Sequence, residues 1–537
     1  MPSWRRPRRS ASATACATPD QGAGMTTLTI GERELDIADV VAASRGRMRI
    51  AVTPELRERM QQARDILDDH LRRDVPVYGL NTGLGGNIGH RIAPDEASAL
   101  QADLVMARVA GVGAPLSIEA SRAVLFCRIA GLAQGGAGIS LPVFDTLVAM
   151  LAADMIPVIP SRGSTGASDL VQTMSLAAAA IGAGAVHWRS RTMPAAEALA
   201  AAGLTLARLA PKDGLSIGSA SSVACAMAAL ALAELDDLLA MHVAAAALAC
   251  QGFGANPHLF DAEVVAARPA GRQVEAAALF RRALAGGDFF TRVPAKVQDA
   301  ISFRALPQVM GAVMAAREAA AREVRVELNG AADNPLVLGA AGLVRPSANF
   351  LTPSLALAFD TLAIAVAQLA TASVQRSIKL MTARLSGLPN YLSPVGGASA
   401  GFVPMQKSLA ALHAEIRLKT IPASIDGVVV SDMVEDIATN SVLAVSKFGE
   451  QFEPMRWLIA IEAMVAAQAV DLRRRGEPGL ALGRAAGEVY RRLRAVVVEL
   501  DADRATGPDA SAALGALWHA DSVDAVRGML EHDPEKL

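Results

Sequence analysis

Long stretches of Ala, Leu and Val dominate the chain from about residue 211 onward. Several of them place apolar residues at i, i+3, i+4 and i+7, the spacing of one face of an α-helix. Others, such as residues 355–367, are apolar on nearly every side, and a helix of this kind must be buried on every side. The pattern predicts a bundle of long helices, buried further by association of several copies of the chain, over residues 215–251, 299–328, 350–385, 404–418, 433–473 and 481–500.

The first part of the chain has a different pattern. Short helical patterns alternate with glycine-rich turns, for example at 78–86 and 135–138, and glycine supplies the left-handed backbone conformations that such turns need. We therefore expect an all-α protein with a smaller, loop-rich N-terminal domain at 25–210, a central bundle of long helices at 211–480 and a C-terminal helical segment at 481–537. Aromatic residues make up only 4% of the chain, which is few for a β-sandwich or barrel.

Residues 1–24 differ in composition from the rest of the chain, because they are rich in Arg, Ser, Pro and Thr. A secretory signal would need an apolar run after the basic cluster at 5–9, and the sequence has none there. We interpret this stretch as a disordered extension, with the protein itself beginning near Met25. No segment is expected to pass for a membrane span, since the apolar stretches carry polar or glycine interruptions. The expected location is the cytoplasm.

Charge and cysteine content narrow the possible partners. The formal net charge is -2, so there is no electrostatic argument for a nucleic-acid or membrane partner. The four cysteines, Cys16, Cys127, Cys225 and Cys250, form no CxxC or His/Cys cluster, which gives no support for a bound metal or a disulfide framework. Reduced, buried thiols are the expected state.

The most informative segment is Gly163–Leu170, with the sequence Gly-Ser-Thr-Gly-Ala-Ser-Asp-Leu. By itself it is a glycine-rich turn that opens a helix, and such a turn offers free N–H groups to an anion. No lysine follows it at the spacing of a phosphate loop. Further motifs occur along the chain: Tyr-Gly-Leu-Asn-Thr-Gly-Leu-Gly at 78–85, Leu-Gln-Ala-Asp-Leu at 100–104, Gln-Asp-Ala-Ile-Ser-Phe-Arg at 298–304 and Glu-Leu-Asn-Gly-Ala-Ala-Asp-Asn-Pro-Leu at 327–336.

Together these motifs resemble the histidine and phenylalanine ammonia-lyase family over about residues 27–500. The resemblance implies the aromatic amino acid lyase-like (L-aspartase-like) fold, and a homotetramer whose active sites are shared between subunits. It also implies an amino acid as the substrate. In the family an Ala-Ser-Gly tripeptide cyclises with loss of water to a 4-methylidene-imidazol-5-one ring (MIO), an electrophile that captures the substrate amine.

The chain departs from the family at the cyclising tripeptide. Ala167 and Ser168 run directly into Asp169, without the intervening glycine. Two alignments stay open. Asp169 either takes the place of the glycine, and a MIO-type group forms from these three residues, or it is the aspartate that follows the glycine, and the shortened loop forms no ring. Glycine eases the close, strained approach that ring closure needs, so an aspartate raises its steric cost.

The resemblance also implies roles for individual residues. Tyr78 corresponds to the base that removes the β-proton of the substrate. Arg304 corresponds to the residue that binds the α-carboxylate, a task that suits a planar guanidinium. Glu435 would tune the protonation of the substrate amine. Further candidate substrate-binding positions are Asn81, Ala107, Arg108, Ser219, Ile301 and Phe350.

Several of these positions carry a residue that differs from the family. Ser219 and Ile301 stand where the family has an asparagine and a tyrosine, and Ala107 and Arg108 stand where the histidine-specific members have Ser-His. If Arg108 points inward, it favours a substrate with an anionic or hydrogen-bond-accepting side chain. If it points outward, it is an ordinary surface arginine.

The motifs leave two functional hypotheses open. In the first, the chain is an ammonia-lyase or aminomutase that acts on an amino acid through a self-derived MIO-like electrophile. In the second, it is a ring-less homologue that binds an amino acid or a partner, or catalyses a different acid–base reaction. The presence of Tyr78, Arg304 and Glu435 at the catalytic positions argues against a plain binding protein.

Overall fold

A computed structural model describes residues 26–46, 48–294, 296–425 and 427–531. The disordered extension expected at residues 1–24 and the start near Met25 lie outside the described residues. The described chain is mostly helical, which confirms the all-α prediction. The domain boundary near residue 210 stays a prediction. One cluster of buried apolar side chains extends from Ile30 to Leu530, across that boundary.

Twenty-one α-helices lie within the described residues: α1 (Ile37–Arg45), α2 (Pro54–Arg72), α3 (Leu100–Met106), α4 (Ile118–Ala133), α5 (Leu141–Ala152), α6 (Leu170–Ala180), α7 (Ala195–Ala201), α8 (Asp213–Gly218), α9 (Ser222–Phe253), α10 (Ala262–Ala266), α11 (Gln273–Leu284), α12 (Ile301–Arg304), α13 (Leu306–Asn329), α14 (Pro353–Leu380), α15 (Ala383–Ser386), α16 (Met405–Leu418), α17 (Ser441–Gly449), α18 (Phe452–Gly476), α19 (Arg484–Arg494), α20 (Thr506–Leu517) and α21 (Ala520–Glu531).

Short β-strands form four small sheets in the described part of the chain. The strands are β1 (Thr26–Ile30), β2 (Met48–Val52), β3 (Val112–Pro115), β4 (Ile156–Pro157), β5 (Pro160–Arg162), β6 (Ala185–Trp188), β7 (Arg191–Pro194), β8 (Leu336–Leu338) and β9 (Leu343–Arg345). β1 and β2 pair in parallel, whereas β3 with β5, β4 with β6, β6 with β7, and β8 with β9 are antiparallel. The largest sheet has three strands, so the sheets are additions to a helical core.

Three long helices, α9, α14 and α18, form the centre of the bundle. α9 spans 32 residues and most of its side chains are buried, as its continuous apolar sequence predicts. It packs along α18, and the two backbones come close at Gly252. A Cβ at this position would lie 2.9 Å from the carbonyl oxygen of Ala466, so glycine permits the approach of the two helices.

The predicted helix at 433–473 is wrong in its first part. Residues 433–440 belong to an irregular segment, and α17 and α18 follow as two separate helices. Ser431, Asp432 and Met433 have φ angles of 54°, 55° and 69°. A residue in the left-handed region cannot continue a right-handed helix, so apolar spacing alone does not define a helix here.

Four other predicted helices are divided or shorter than expected; of these, 299–328 is divided between α12 and α13, and 350–385 between α14 and α15. The segment 215–251 is divided, because α8 ends at Gly218 and α9 begins only at Ser222. Between them Ser219 has a ψ of 73°, outside the helical region. The segment 481–500 contains α19, which is shorter by several residues at each end.

Two helical stretches, Asp213–Phe253 and Pro353–Leu380, are long and apolar enough to cross a membrane by length and composition. The expectation that no segment would pass this test is therefore wrong. In the first stretch 83% of the most apolar part is buried inside the protein, which is typical of a core helix. In the second stretch the buried share is 50%. The exposed face of the second stretch, α14, includes Leu357 and Ile364.

The thiols Cys127, Cys225 and Cys250 are free and buried, as expected, and Cys16 lies outside the described residues. A hydrogen bond with Cys127 and burial raise the pKa of Cys225, and burial also raises the pKa of Cys250. The thiols of Cys225 and Cys250 are therefore kept in their neutral form in the core.

Candidate active site

The loop that contains Ser168 runs from β5 to α6 and is held at Gly166. Gly166 has a φ of 86°, and its carbonyl accepts a hydrogen bond of 3.0 Å from the Thr439 hydroxyl. A Cβ at this position would lie only 2.0 Å from the Thr439 oxygen, so only glycine fits. Ser168, nearly buried with a φ of 60°, donates its N–H to the Phe350 carbonyl at 3.2 Å.

Asp169 is completely buried, and both of its carboxylate oxygens have partners. Oδ2 accepts the N–H groups of Val223 and Ala224, each at 2.9 Å, and Oδ1 accepts the Ser164 hydroxyl at 2.6 Å. Burial nevertheless raises the pKa of Asp169 to about 6. Val223 and Ala224 lie in the first turn of α9, where N–H groups have no partner within the helix, so the side chain of Asp169 caps that helix.

The same residue is fixed through its backbone. Its N–H donates to the Ala220 carbonyl at 2.9 Å, and its C=O accepts from the N–H groups of Gln172 and Thr173 in α6. A ring formed from residues 167–169 needs the nitrogen of Asp169 to bond to the carbonyl carbon of Ala167. Because that nitrogen already donates to a different element, residue 169 as the chain is folded does not fit the position of the ring nitrogen.

Tyr78 lies on the loop that leads from α2 toward α3. Its side chain is half-buried, and its hydroxyl oxygen accepts the N–H of Gly85 at 2.9 Å. It lines a cavity of about 480 Å³ together with Val434, which belongs to the segment of Glu435. The cavity gives the phenol group an open space on one side, and that space is the candidate substrate pocket.

Asn81, on the same loop, is fully buried and its amide is used within the loop. Its Oδ1 accepts the N–H of Val77 at 2.8 Å, and its Nδ2 donates to the carbonyl of Val75 at 3.0 Å. These contacts hold the turn that presents Tyr78. A direct contact of Asn81 with a substrate stays a prediction.

Arg108 lies just after α3 and is half-buried beside Tyr78. One guanidinium nitrogen donates to the carbonyl of Leu104 at 3.0 Å. Burial lowers the pKa of Arg108 and the interaction with Tyr78 opposes that shift; no carboxylate among the described residues pairs with it. The adjacent Ala107 is exposed. Arg108 is therefore a partly desolvated cation on the Tyr78 side of the molecule.

Glu435 lies on the irregular segment against the Tyr78 loop. Its Oε1 accepts the hydroxyl of Ser431 at 2.7 Å, and its backbone pairs with Val430. The segment touches the Tyr78 loop, since a Cβ at Gly86 would lie 2.8 Å from the Cβ of Asp432. This packing brings Glu435 to the same region as the phenol group.

Phe350 and Ser219 lie on the two connections that flank the Ser168 loop. The Phe350 carbonyl accepts from the N–H of Ser168 and, at 2.9 Å, from the hydroxyl of Ser221. Ser219 is buried at the end of α8. Most of the predicted site residues thus lie on neighbouring segments of one copy of the chain. They are Tyr78, Asn81, Ala107, Arg108, Ala167, Ser168, Asp169, Ser219, Phe350 and Glu435.

Arg304 and Ile301 lie far from this group in the same chain. They belong to α12, and the ring of Phe303 on that helix stacks on Phe253 with ring centroids 4.0 Å apart. Phe253 is the last residue of α9, whereas Asp169 caps the first turn of α9. Thirty residues of helix separate these ends by roughly 45 Å.

A second helix gives a similar separation. Arg376, near the end of α14, donates to the carbonyl of Ser302 at 3.3 Å, while Pro353 at the start of α14 follows the Ser168 loop contact at Phe350. The length of α14 between them is about 35 Å. Within one copy of the chain, Arg304 therefore cannot reach a substrate at Tyr78.

Two features of the site had no signal in the sequence. The capping role of Asp169 depends on the N-terminus of α9, more than fifty residues away in the chain. Glu327 lies in a recognisable motif, but the motif does not reveal the environment of its side chain. Burial is the main cause that raises the pKa of Glu327 to about 8, and the charge of Asp169 adds to it. The pattern could have shown only that Glu327 falls on a helix with a buried face.

The geometry defines a helical protein with a tyrosine at a cavity, a half-buried arginine beside that tyrosine, and a glycine-bounded serine loop in contact with the Glu435 segment. The aromatic amino acid lyase family matches residues 35–495. A histidine ammonia-lyase of Anaeromyxobacter sp. is 37% identical over 504 residues, which cover 91% of this chain and 98% of the relative. A histidine ammonia-lyase of Deinococcus radiodurans is 34% identical, covering 89% and 91%.

Two solved structures support the same assignment. The ergothioneine-degrading enzyme ergothionase of Treponema denticola has a TM-score of 0.88 at 29% identity and covers 94% of this chain and 100% of its own. The tyrosine aminomutase of Streptomyces globisporus has a TM-score of 0.86 at 27% identity, covering 95% and 100%. The class of the protein is a carbon–nitrogen lyase or aminomutase. The chain belongs to the aromatic amino acid lyase family.

Proposed function

We propose that the protein removes or moves the amino group of an amino acid in the cavity beside Tyr78, in the cytoplasm. The observation that carries the proposal is the meeting of Tyr78, Arg108, the Ser168 loop and the Glu435 segment in one region of a chain of this family. In this proposal Tyr78 is the base that takes a proton from the substrate carbon next to the one that bears nitrogen. Glu435, close by, receives or supplies the proton of the amine.

The carboxylate of the substrate would be bound by Arg304 of a second copy. Arg304 is partly exposed and its guanidinium donates to the side chain of Gln298. A planar guanidinium can hold both oxygens of a carboxylate, which fixes the substrate relative to the base. Since the two ends of α9 keep Arg304 and Tyr78 of one copy apart, the proposal requires copies to share sites, and we propose the homotetramer.

Exposed apolar groups support that association. Next to Arg304 the side chains of Val293, Val297 and Ile301 are 90%, 92% and 62% exposed. On the segment of Glu435, Met433 and Ile437 are exposed as well. Apolar surface of this kind is usually covered by a partner, and a second copy that brings its Arg304 to the Glu435 segment would cover both sets.

Arg108 supports a substrate class. Its charge is half-buried without a carboxylate partner among the described residues, and a partly desolvated cation favours a nearby anion. We therefore propose an amino acid whose side chain carries an anionic or strongly hydrogen-bond-accepting group. A phenylalanine side chain offers no such group, and a histidine imidazole carries no negative charge, so both are expected to be poor substrates.

The electrophile is the point at which two candidate functions diverge. In the first, Ala167, Ser168 and Asp169 hold a MIO-type group, which would supply an electrophile for the amine. In the second, the site has no ring and Tyr78 and its neighbours act by acid–base chemistry. The contacts of Asp169 with Ala220, Val223 and Ala224 favour the second.

The proposal is tested by screening amino acids for ammonia release, for a new alkene absorbance and for a moved amino group. Tyr78→Phe should abolish the activity found, because it removes the base. Tyr490→Phe is a matched control, since Tyr490 pairs with Asp471 outside the candidate site. Equal activity in Tyr78→Phe and the parent would contradict the assignment of the base.

A further inference from the structure

We infer that Asp169 is a structural cap that joins two helices, that the residue missing from the loop is the ring glycine, and that the loop does not cyclise. The inference rests on the proposed function only in taking this loop as part of the active site. It concerns a covalent modification of the chain, which is measured without any substrate.

The first step is the side chain of Asp169. Its two oxygens accept three hydrogen bonds, two from the first turn of α9 and one from Ser164 of its own loop. The carboxylate thereby fixes the start of α9 to the start of α6, which begins with Leu170. A residue that took the place of the ring glycine would have no such task, because a glycine has no side chain to cap a helix.

The second step is the backbone of the three candidate ring residues. Ala167 pairs with Leu351 in an isolated bridge, Ser168 donates to the Phe350 carbonyl and Asp169 donates to Ala220. Ring closure needs Asp169 N to turn toward Ala167. That turn breaks its 2.9 Å bond to Ala220 and pulls on a carboxylate with three partners.

The third step is the count of residues between two fixed points. On one side Gly166 is held by Thr439, and the carbonyl of Thr165 accepts the N–H of Asn440 at 2.8 Å. On the other side Asp169 is held by α9. Only two residues lie between Gly166 and Asp169, whereas the family has Ala-Ser-Gly between its glycine and its aspartate. The deletion therefore falls between Ser168 and Asp169.

The consequence for the reaction is that the amine of the substrate is not activated by a covalent bond to the protein. Covalent activation is a common way to make a poor leaving group depart. In its absence the site has Tyr78 and Glu435 for proton transfer and Arg108 for binding an acceptor group of the substrate. The Ser168 hydroxyl is then an ordinary side chain and not the source of a methylidene group.

The test compares the intact mass of the purified full chain with that of two variants. The parent should have its encoded mass and no added near-ultraviolet absorbance. A glycine inserted between Ser168 and Asp169 should lose the mass of two water molecules and gain that absorbance. Asp169→Gly recreates Ala-Ser-Gly but removes the cap, so it should keep its encoded mass and melt at a lower temperature than the parent.

Each other outcome overturns the inference. A parent lighter by two waters has cyclised. A ring in Asp169→Gly but not in a folded insertion variant places Asp169 at the glycine position. Ser168→Ala in the insertion variant should prevent the loss of mass, which ties that loss to the serine. If the insertion variant fails to fold, the parent mass and the thermal melt of Asp169→Ala, which has no side-chain acceptor for the N–H groups of Val223 and Ala224, decide: an unchanged melting temperature would overturn the capping role. Ammonia release is measured separately, so its absence would count against the proposed function and leave the mass result intact.

Discussion

Arg304 and Arg108 illustrate how the surroundings of a residue decide its possible task. Arg304 is partly exposed, and its guanidinium has Gln298, a neutral side chain, as its hydrogen-bond partner. It is therefore free to exchange that partner for a substrate carboxylate. Arg108 is half-buried beside Tyr78, which suits recognition of a second acceptor on the substrate. Both arginines are needed if the substrate carries two anionic groups.

The carboxylate-binding role of Arg304 predicts a large effect of Arg304→Lys. A single ammonium cannot reproduce two parallel hydrogen bonds, so we expect kcat/KM to fall roughly ten- to hundredfold, which matches the loss of a hydrogen bond to a charged group. The melting temperature should not change, because the partner of Arg304 is an exposed side chain. Arg191→Lys, at an exposed position of β7, is the control and should retain parental kinetics. If Arg304→Lys had the kinetics of the parent, the substrate carboxylate would have to be bound by another residue, and Arg108 would be the next candidate.

Removal of the charge of Arg108 tests the proposed substrate class. Arg108→Met keeps much of the side-chain volume and removes the charge. Activity on an amino acid with an anionic side chain should fall at least tenfold, about the value of one charge-assisted hydrogen bond, while activity on a neutral analogue should hold or rise. The measurement is the ratio of kcat/KM for the two substrates. An unchanged ratio would mean that Arg108 points away from the substrate.

Two carboxyl groups with raised pKa values predict a pH dependence of stability. The pKa of Glu327 is raised to about 8 and that of Asp169 to about 6, both mainly by burial. In the unfolded chain such groups have pKa values near about 4. As the pH rises from about 4, the unfolded chain loses these protons first, so the stability that the two groups contribute is lost progressively, through about pH 6 for Asp169 and through about pH 8 for Glu327.

Glu327→Gln removes the larger of the two contributions. Its melting temperature should fall less than that of the parent between about pH 5 and about pH 8. Glu263→Gln, at an exposed position, is the control and should follow the parent curve. Identical slopes for Glu327→Gln and the parent would show that Glu327 is ionised in the folded protein.

At the scale of single residues, the sequence predicts which residues belong to the candidate site better than it predicts what surrounds them. The motifs around Tyr78, Ser168 and Arg304 were recognisable because each is local and carries several residues at fixed spacing. The capping role of Asp169 was not, because its partners come from a distant helix. A hydrogen bond between segments far apart in the chain leaves no periodic pattern.

Among the structural elements, the Ser168 loop packs against the Glu435 segment most tightly at Gly166. Gly166→Ala should lower the free energy of unfolding by about 2 kcal/mol or more, because the new Cβ meets Thr439 and the backbone stays in the left-handed region. Gly387→Ala is the matched control: Gly387 has a φ of 70° and no atom near an added Cβ. It should cost only about 1 kcal/mol. The two variants are compared by denaturant unfolding, and equal effects would mean that the contact with Thr439 yields easily.

Helices were predictable where they are buried on every side, and less predictable where an irregular segment near the candidate site interrupts the apolar pattern. α9 follows its apolar run closely, since packing on every side demands such a run, whereas α14 leaves Leu357 and Ile364 exposed in one copy of the chain. The helix predicted from residue 433 fails because residues 431–433 have left-handed backbone angles. The apolar residues there, such as Val434 and Ile437, are exposed in one copy of the chain. Their pattern is compatible with an interface, which the spacing of a single sequence does not distinguish from a core.

The whole molecule is organised by the length of its central helices. α9 carries the Asp169 contact at one end and the stacked Phe303 at the other, and α14 spans a similar distance. A rigid helix cannot bend these two ends together. The residues implied for one active site are therefore divided between the two ends of each copy, and neighbouring copies placed head to tail would bring the ends into contact.

This division predicts complementation between two inactive variants. Tyr78→Phe removes the base at one end of the chain and Arg304→Lys weakens the carboxylate site at the other, so each variant alone should have little activity. In a mixed oligomer assembled from equal amounts of both, a site that takes Tyr78 from one copy and Arg304 from another is intact when both contributing copies carry the native residue. Random assembly gives one half times one half, or about a quarter, of intact sites. The measurement is the activity of co-expressed, doubly tagged oligomers, with mixed but not reassembled variants as the control. A mixture of proven hetero-oligomers without any recovered activity would mean that both residues serve the site of the same copy, in conflict with the roughly 45 Å between the two ends of α9.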